Sequence, residues 1–372
     1  MTAGTGHRRA AEAVAEALRQ RDPRLDVACV DLLAFVPRWL RWAYPATYEW
    51  LVRWAPWLWA AGYYSLDQPV GFRLLQPWRR LWNAWMARRF LAQIAAQPPD
   101  VIVTTHFFPT DVVGHAQAAG RLSVPLVVVI TDLFPHRFWL TARPSVALVG
   151  TEEVKRLCVQ RGLDADRIRV VGIPIRPAFA RTPDRATVMM RLGLDAARQT
   201  ILIASGGMGV GPIEGLVQRF LQVAAQRLGR LQLVVICGQN RRLAERLRRR
   251  CAGAALPVRI EGFVETMPDY MRAADLLITK PGGLTVVEAL AMELPMLFVG
   301  AIPGQEQFNA AYAVSHRAAC WLRSPSEVVS TALHLMDHPE QLEQMRHSAA
   351  AAGRPDAAFQ TADLVRSYAQ AR

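Results

Sequence analysis

The chain has 372 residues, a formal net charge of +13, 52% hydrophobic residues and 20% charged residues. A disordered chain would be less hydrophobic, and a collagen-like chain would need far more than the 24 Gly and 24 Pro found here, so both classes are excluded. The length predicts two domains. The excess of basic residues indicates an anionic partner, which is a nucleic acid, an acidic membrane surface or a phosphorylated ligand.

The cysteines and the N-terminal sequence favour a protein of the reduced cytosol. The five cysteines are scattered and form no CxxC pair, which predicts neither a disulfide framework nor a zinc site. Residues 1–7 lack the apolar core of a signal peptide. The best candidate for a membrane span, 54–66, is shorter than the roughly 20 residues that a transmembrane helix needs.

Short apolar runs alternate with amphipathic stretches along the chain. Such runs are typical of parallel strands covered by helices on both faces, so the pattern predicts α/β doubly wound domains. A proline-rich break at 172–184 predicts a linker between two domains of similar size. In chain order, the predicted strands are 26–30, 101–105, 125–131, 146–149, 168–171, 201–205, 231–237, 258–261, 276–279 and 296–299.

The stretch from residue 36 to residue 90 interrupts this alternation. It contains nine of the eleven tryptophans and eight arginines, against two acidic residues. Trp and Arg together are typical of a segment that lies in a membrane interface, and the candidate contacts are Trp54, Trp57 and Trp59. Two alternatives remain, namely a Trp-rich helical subdomain with its own core and an RNA-binding surface, although no RNA-binding motif accompanies it.

Four glycine-rich turns can bring the backbone close to a phosphate. They occupy residues 4–7, 205–209, 280–285 and 303–306. The last three follow predicted strands of the second half, where helix N-termini offer free N–H groups to an anion. None of the four matches a P-loop or a strict GxGxxG fingerprint. The three turns of the second half together predict a site for a diphosphate that carries a polar sugar.

These turns belong to a wider set of motifs with specific order and spacing. The sequence resembles the monogalactosyldiacylglycerol synthases and processive diacylglycerol glucosyltransferases, and more distantly the N-acetylglucosaminyltransferase of peptidoglycan lipid II synthesis. In the first half the resemblance rests on residues 4–8, 131–133, 136, 139 and 172–176. In the second half it rests on residues 206–209, 262–264, 279–283, 288, 303–306 and 309.

The resemblance implies a GT-B fold, an α/β architecture in which two Rossmann-like domains face a cleft. It implies an acceptor- and membrane-binding domain at 1–178, a UDP-sugar-binding domain at 179–354, and a last helix at 355–372 that crosses back. The implied reaction is inverting transfer of glucose or galactose from a UDP-sugar to diacylglycerol, without a cofactor. The implied location is the cytoplasmic face of the cell membrane, with peripheral attachment and no role for nucleic acid.

The resemblance also implies roles for individual residues in donor binding. Glu288 binds the ribose hydroxyls, the backbone at Phe263 and Val264 meets the uracil, and Arg176 is the charge partner of the diphosphate. Two larger sets complete the donor site. Gly206, Gly207, Gly209, Gly282, Gly283 and Thr285 cradle the diphosphate, and Gln305, Glu306 and Asn309 read the sugar hydroxyls.

The attacking alcohol must lose a proton, and His7 is the first candidate for the base because an imidazole titrates near neutral pH. Asp132 either orients this base or is itself the base. No Asp-x-Asp motif places a metal at the diphosphate, so we expect helix N-termini and Arg176 to stabilise the leaving group. Further candidates on the acceptor side are His106, His136 and Trp139.

Three alternative functions and one structural question stay open. The alternatives are N-acetylglucosaminyl transfer to another lipid, a UDP-sugar epimerase of the same fold, and a lipid-binding relative without catalysis. The structural question concerns the start of the first domain. A Rossmann domain begins with a strand before its first glycine turn, and only three residues precede Gly4. Either the natural start lies further upstream, or the first sheet lacks its central strand.

Overall fold

The chain folds into two compact units, each built on its own parallel sheet. The first unit comprises the chain up to Pro177 together with residues 302–305 and 356–372. The second unit comprises residues 178–301 and 306–355. The computed structural model describes residues 5–181, 183–207, 209, 211–223 and 229–370.

The strands confirm the predicted α/β class. In the first unit the parallel order is β1–β2–β3–β4, and in the second it is β10–β9–β8–β5–β6–β7. The strands are β1 (Ile102–Thr104), β2 (Leu126–Val129), β3 (Val146–Val149), β4 (Ile168–Val170), β5 (Gln199–Ala204), β6 (Leu231–Ile236), β7 (Val258–Glu261), β8 (Leu276–Thr279), β9 (Met296–Val299) and β10 (Ala319–Leu322).

Helices cover the faces of these sheets and extend the first unit. Those in the described part of the chain are α1 (Thr5–Arg21), α2 (Arg38–Trp54), α3 (Pro56–Asp67), α4 (Pro69–Met86), α5 (Arg88–Ala96), α6 (Phe107–Ala118), α7 (Glu152–Gln160), α8 (Arg185–Leu192), α9 (Ile213–Val223), α10 (Arg241–Cys251), α11 (Met267–Ala273), α12 (Gly283–Ala291), α13 (Gln305–Ser315), α14 (Pro325–Asp337), α15 (Pro339–Ala352) and α16 (Ala357–Gln370).

Each apolar core lies between a sheet and its helices. All side chains of β2 and β3 are buried, as expected for strands covered on both faces. On one face of that sheet, α16 packs against α1, and small buried residues at Ala13, Ala17, Ala358 and Ala362 line the contact. The last helix of the chain therefore belongs to the first unit.

The sequence-based expectation differs from the structure at two strands. The predicted strand at 26–30 is wrong: these residues are irregular and pair with no strand among the residues described. A strand exists only through its ladder, so a strand-like composition does not suffice without a neighbour. Conversely, β10 was not predicted, because it is a four-residue edge strand whose Trp321 is exposed rather than buried.

Buried polar contacts join the inserted helices α2 to α5 to the rest of the first unit. On α4, Arg79 forms a 2.7 Å ion pair with Asp111 of α6, and Asn83 donates to the other carboxylate oxygen at 2.7 Å. At the end of α3, Arg161 donates to both carboxylate oxygens of Asp67, at 2.8 and 2.9 Å. Arg79 therefore holds the fold together rather than adding to an exposed basic surface. Within the described residues, no helix combines the length and the apolarity that a membrane span requires.

Candidate active site

A polar cluster lies in the first unit where β1 and β2 end and α1 begins. Thr105 and His106 follow β1, Thr131 and Asp132 follow β2, and His7 lies in the first turn of α1. The carboxyl ends of parallel strands are where α/β sheets bind their ligands. The four residues that follow the strands are buried, whereas His7 is half-buried. As a whole residue, His7 is therefore the most accessible of these five.

The hydrogen bonds of His7 determine which nitrogen carries its proton. Nδ1 lies 2.6 Å from Oγ1 of Thr131 and 3.0 Å from the carbonyl oxygen of Thr105. Because a carbonyl oxygen only accepts, the hydrogen of the neutral imidazole is assigned to Nδ1. Nε2 then holds the free electron pair and is the nitrogen that can take up a proton. The hydroxyl of Thr105 also donates to the carbonyl of His7 at 2.8 Å, which holds the start of α1 in place.

The surroundings of His7 favour its neutral form. Burial is the main cause and lowers the pKa of His7 below its usual value near 6.5. The negative charge of Asp132 opposes this effect and raises the pKa again by a smaller amount. A base must be unprotonated to accept a proton, so the lowered pKa keeps His7 available at neutral pH.

The carboxylate of Asp132 is held in place by neighbours within the first unit. Nε1 of the buried Trp139 donates to its Oδ2 at 2.6 Å, and the side-chain amide of Gln305 donates to its Oδ1. Asp132 thus acts on His7 through its charge, while Thr131 and Thr105 contact the ring directly. Neither threonine was a predicted site residue, although Thr131 lies within the 131–133 motif. Whether Gln305 also reads the sugar hydroxyls stays a prediction.

His106 and His136 lie at the starts of helical segments and accept backbone hydrogen bonds. Nδ1 of His106 accepts from the N–H of Phe108 at 3.0 Å, and Nδ1 of His136 accepts from the N–H of Phe138 at 3.3 Å. Burial lowers the pKa of both histidines. The His106 ring lies 4.6 Å from the His7 ring. These two histidines are therefore neutral capping residues, and their predicted contact with an acceptor stays a prediction.

In the second unit, the first glycine turn requires glycine for steric reasons. Gly206 and Gly209 have positive φ angles of 68° and 60°. A Cβ atom at Gly209 would lie only 2.0 Å from the carbonyl oxygen of Cys237. At Gly209 the turn after β5 thus packs directly against the chain that follows β6.

The second glycine turn leads from β8 into α12. Gly282 is the residue before the helix, and the free N–H groups of the first turn follow it. Thr285 lies in that turn, and Glu288 lies one turn further along the helix with only 6% of its surface exposed. An anion at this helix start would meet N–H groups and the positive end of the helix dipole.

Lys280 is a residue of this site that the sequence analysis did not single out. Its ammonium forms a 2.7 Å ion pair with Glu306 of α13, and its Cε lies 3.7 Å from where a Cβ of Gly206 would stand. Asn309 of the same helix donates to the carbonyl of Pro281 at 3.1 Å, while its buried Oδ1 has no hydrogen-bond partner among the residues that the structure describes. The sequence feature that could have identified Lys280 is a basic residue inside the 279–283 motif, next to a glycine turn.

Three further residues with predicted donor roles lie in different parts of the fold. Phe263 follows β7 and is 52% exposed, and Val264 beside it is half-buried. Arg176 belongs to the first unit, where its Nε lies 3.8 Å from a carboxylate oxygen of Glu16. The predicted roles of these residues stay predictions. In the described part of the chain, no group of three or more His, Cys, Asp and Glu side chains is arranged to hold a metal ion.

Comparison with known proteins decides the family. Residues 7–175 match the family model of monogalactosyldiacylglycerol (MGDG) synthase, and residues 200–361 match the C-terminal domain of glycosyltransferase family 28. The chain is 30% identical over 286 residues to a processive diacylglycerol β-glucosyltransferase of Bacillus cytotoxicus, which covers 76% of this chain and 72% of that protein. The chain belongs to this family of diacylglycerol glycosyltransferases. A Bacillus mycoides protein of the same name is 31% identical over the same shares.

Solved structures confirm the GT-B-like fold of this glycosyltransferase. Acinetobacter baumannii MurG matches with a TM-score of 0.57 and 18% identity, covering 77% of this chain and 78% of MurG. A putative UDP-N-acetylglucosamine 2-epimerase of Listeria monocytogenes matches with a TM-score of 0.59 and 18% identity over the same shares. At these identities the likeness establishes the fold, while the family models and the Bacillus relatives establish glycosyl transfer.

Replacing Glu288 with Ala should weaken UDP binding roughly 10- to 100-fold, because a hydrogen bond from a ribose hydroxyl to a charged acceptor contributes about 1.5–3 kcal/mol. Titration calorimetry with UDP measures this directly. The exposed Glu340 at the start of α15 provides a matched control, since Glu340→Ala removes the same charge elsewhere in the unit. Unchanged UDP affinity in a folded Glu288→Ala variant would remove the ribose role.

The variant Lys280→Met should also lower donor affinity, roughly tenfold, because it removes a cation beside two glycine turns that we expect to bind the diphosphate. The effect should be larger for UDP than for uridine, since only UDP carries the diphosphate. The chain has one other lysine, Lys155 of α7, and Lys155→Met is the matched control. Equal affinity losses for UDP and uridine would contradict a diphosphate contact.

Proposed function

We propose that the chain transfers a hexose from a UDP-sugar to the free hydroxyl of diacylglycerol, with inversion at the anomeric carbon. The observation that carries the proposal is the neutral His7 imidazole, whose Nδ1 hydrogen is engaged by the backbone. Family membership supports the lipid acceptor and the transfer reaction. The glycine turns and helix starts of the second unit support the UDP-sugar donor.

In the proposed chemical step, His7 is the only base. Nε2 takes the proton from the acceptor hydroxyl while the alcohol oxygen forms a bond to the anomeric carbon. The bond from that carbon to the diphosphate oxygen breaks, and UDP leaves with the electron pair. The positive charge gained by His7 is stabilised by the negative charge of Asp132, which favours the protonated ring. Helix N-terminal N–H groups and Lys280 offset the charge that develops on the diphosphate.

The Trp- and Arg-rich helices support a membrane surface as the place of the reaction. On α4, polar residues face the protein, since Gln76 and Asn83 are buried and Arg79 is nearly so. The opposite side presents apolar residues that are 41–74% exposed, namely Leu74, Trp78, Leu81, Trp82 and Trp85. A helix that buries its polar side and exposes its apolar side is expected next to lipid rather than water.

Neighbouring helices extend this apolar surface. Trp54 at the end of α2 is 67% exposed and Trp57 at the start of α3 is 72% exposed, whereas Trp59 is half-buried and its ring lies 6.2 Å from that of Tyr63. Exposed arginines flank them, and these are Arg38, Arg41, Arg73, Arg80, Arg88 and Arg89. This distribution favours peripheral attachment to an anionic membrane over a Trp-rich core, and we place that membrane on the cytoplasmic side.

The pH dependence of turnover should report the lowered pKa of His7. A base with a lowered pKa stays unprotonated to lower pH, so kcat/KM should begin to fall at a lower pH than it would with an unperturbed histidine. Replacing Asp132 with Asn removes a charge that raises this pKa, so the acidic limb should move to still lower pH. If the acidic limb of the Asp132→Asn variant moves to higher pH, or if this variant has no measurable activity, Asp132 rather than His7 is the base.

The stereochemistry of the product tests the proposal as a whole. The chain is incubated with diacylglycerol vesicles and an α-linked UDP-hexose, and the glycolipid is analysed by NMR. Inversion predicts a β-linked hexose. An α-linked product would contradict the single displacement by a base-activated hydroxyl.

A further inference from the structure

A row of aromatic rings in the first unit connects the polar cluster around His7 with helix α4. The His106 ring, 4.6 Å from the His7 ring, lies 4.1 Å from the ring of Phe107 at the start of α6. The Phe107 ring lies 5.4 Å from that of Phe138, and the Phe138 ring lies 6.0 Å from that of Phe72 on α4. These distances join ring centres. We call Phe72, Phe107 and Phe138 the phenylalanine row, and the proposed function does not use it.

The phenylalanine row keeps an accessible apolar surface. All three of its residues are half-buried. Phe108, which directly follows Phe107 and fills the interior, is buried instead. Because burial of apolar surface is favourable, the exposed part of the row is a surface that an apolar ligand can cover.

Neighbouring side chains hold the Phe138 ring in place. The guanidinium carbon of Arg79 lies 4.8 Å from the centre of this ring, and the ion pair with Asp111 balances the charge of Arg79. The His136 ring lies 4.5 Å from the Phe138 ring on the same stretch of chain. A ring that is already fixed loses little conformational freedom when an apolar ligand contacts it.

The row continues onto the exposed apolar side of α4. Leu75 and Trp78 follow Phe72 at intervals of three residues, so the three side chains lie on adjoining strips of the helix. Exposure rises along them, from the half-buried Phe72 to 38% at Leu75 and 74% at Trp78. Apolar side chains therefore lead from the side of α4 that the proposed function sets against lipid to the cluster that contains His7.

We propose that the phenylalanine row binds one acyl chain of the diacylglycerol acceptor. This inference rests on the proposed function, in which the hydroxyl of diacylglycerol must reach Nε2 of His7. When that hydroxyl moves from the membrane interface to His7, it draws the first part of the attached chain with it. Each methylene that enters water on the way costs free energy. The row lets the chain exchange lipid for phenylalanine rings rather than for water.

Photolabelling locates the acyl chain without relying on turnover. The protein is mixed with anionic phospholipid vesicles containing a diacylglycerol that carries a diazirine in one acyl chain, close to the glycerol. After illumination and digestion, the labelled residues are identified by mass spectrometry. We expect labels on the phenylalanine row or on its direct neighbours in sequence, and unlabelled long-chain diacylglycerol should suppress them. An unlabelled row, with labels confined to exposed residues of α4 such as Leu74 and Trp85, would overturn the proposal.

The labelling result and the proposed reaction can fail separately, because labelling is read without a sugar donor. A protein that forms hexosyl-diacylglycerol but leaves the row unlabelled contradicts only the acyl-chain site. A labelled row in a protein that transfers no hexose from any UDP-sugar contradicts only the proposed reaction.

The double variant Phe107→Leu and Phe138→Leu separates binding from folding, because it keeps apolar side chains and removes both rings. In mixed micelles, KM for a long-chain diacylglycerol should rise about tenfold, and KM for a short-chain diacylglycerol should change much less. Phe90→Leu is the matched control, since Phe90 is half-buried in the same unit and its ring lies 5.6 Å from that of Phe35. This control should keep the preference for the long chain.

Two outcomes of the kinetic experiment would contradict an acyl-chain site. Equal losses on long and short chains, with a lowered melting temperature, would show that the phenylalanine row only packs α4 against the rest of the unit. An unchanged KM for the long chain would remove the row from acceptor binding. If the double variant does not fold, photolabelling of the unaltered protein still decides the question.

Discussion

The variant His7→Ala should lose about 10²–10⁴-fold in kcat, because general base catalysis contributes that much when the proton must leave in the transition state. UDP binding should be unchanged, since the donor turns lie in the second unit. The loss in kcat should be largest for transfer to diacylglycerol and to other acceptors that react through a hydroxyl group. Steady-state kinetics with calorimetry of UDP binding separates the two effects.

The control for this variant is His347→Ala on α15, where the histidine is highly exposed and far along the chain from the cluster. It should behave like the unaltered protein. A moderate loss of stability is expected in His7→Ala, because two hydrogen bonds of the Nδ1 group disappear. Near-normal turnover in a folded His7→Ala variant would remove His7 from the reaction and leave Asp132 as the remaining candidate.

The double variant Trp57→Ala and Trp78→Ala should lose most of its salt-resistant binding to anionic vesicles. Both side chains are more than 70% exposed, so their loss does not open a core, and each removes roughly 1.5–3 kcal/mol of burial in lipid. Arginine attraction remains but is screened within about 10 Å at physiological salt. Vesicle co-sedimentation at low and high salt should therefore show binding that persists only at low salt. Turnover on bilayer diacylglycerol should fall more than turnover on a short-chain acceptor in solution.

Trp321 provides the matched control for this surface, since it is 42% exposed but lies on the edge strand β10 of the second unit. Trp321→Ala should bind vesicles like the unaltered protein. If the double variant instead melts at a lower temperature and loses activity equally on both acceptors, the tryptophans are part of a core. Loss of binding in Trp321→Ala as well would point to a general hydrophobic effect rather than one surface.

The sheets and the donor turns could be predicted because their signals are local. All-apolar runs such as 146–149 are strands wherever a neighbouring run pairs with them, and the glycines at 206 and 209 mark a turn because both adopt positive φ angles there. The stretch 26–30 has the same local signal and yet forms no strand, because pairing depends on a neighbour that a propensity cannot reveal. Composition therefore predicts which segments can form strands, whereas pairing with a neighbouring segment determines which of them do.

The polar cluster around His7 and the exposed apolar side of α4 could only be seen in the tertiary structure. Thr131 contacts His7 across 124 residues of sequence, so no spacing rule connects them. The tryptophans recur at helical spacing, which fits a buried core and a membrane surface equally well. Which side of α4 faces the protein is seen only in the structure, where Arg79 and Asn83 contact the buried Asp111 and the tryptophans lie on the opposite, exposed side. Membrane binding by that exposed side stays a proposal.

A transfer assay with several donors and acceptors tests directly whether the chain transfers a hexose to diacylglycerol. The purified chain is incubated with diacylglycerol vesicles and a panel of UDP-glucose, UDP-galactose and UDP-N-acetylglucosamine, in parallel with a polyprenyl acceptor, and all lipids and nucleotide sugars are analysed by mass spectrometry. We expect hexosyl-diacylglycerol from UDP-glucose or UDP-galactose, together with released UDP. Transfer only from UDP-N-acetylglucosamine to the polyprenyl lipid, or an epimerised nucleotide sugar with no glycolipid, would contradict it.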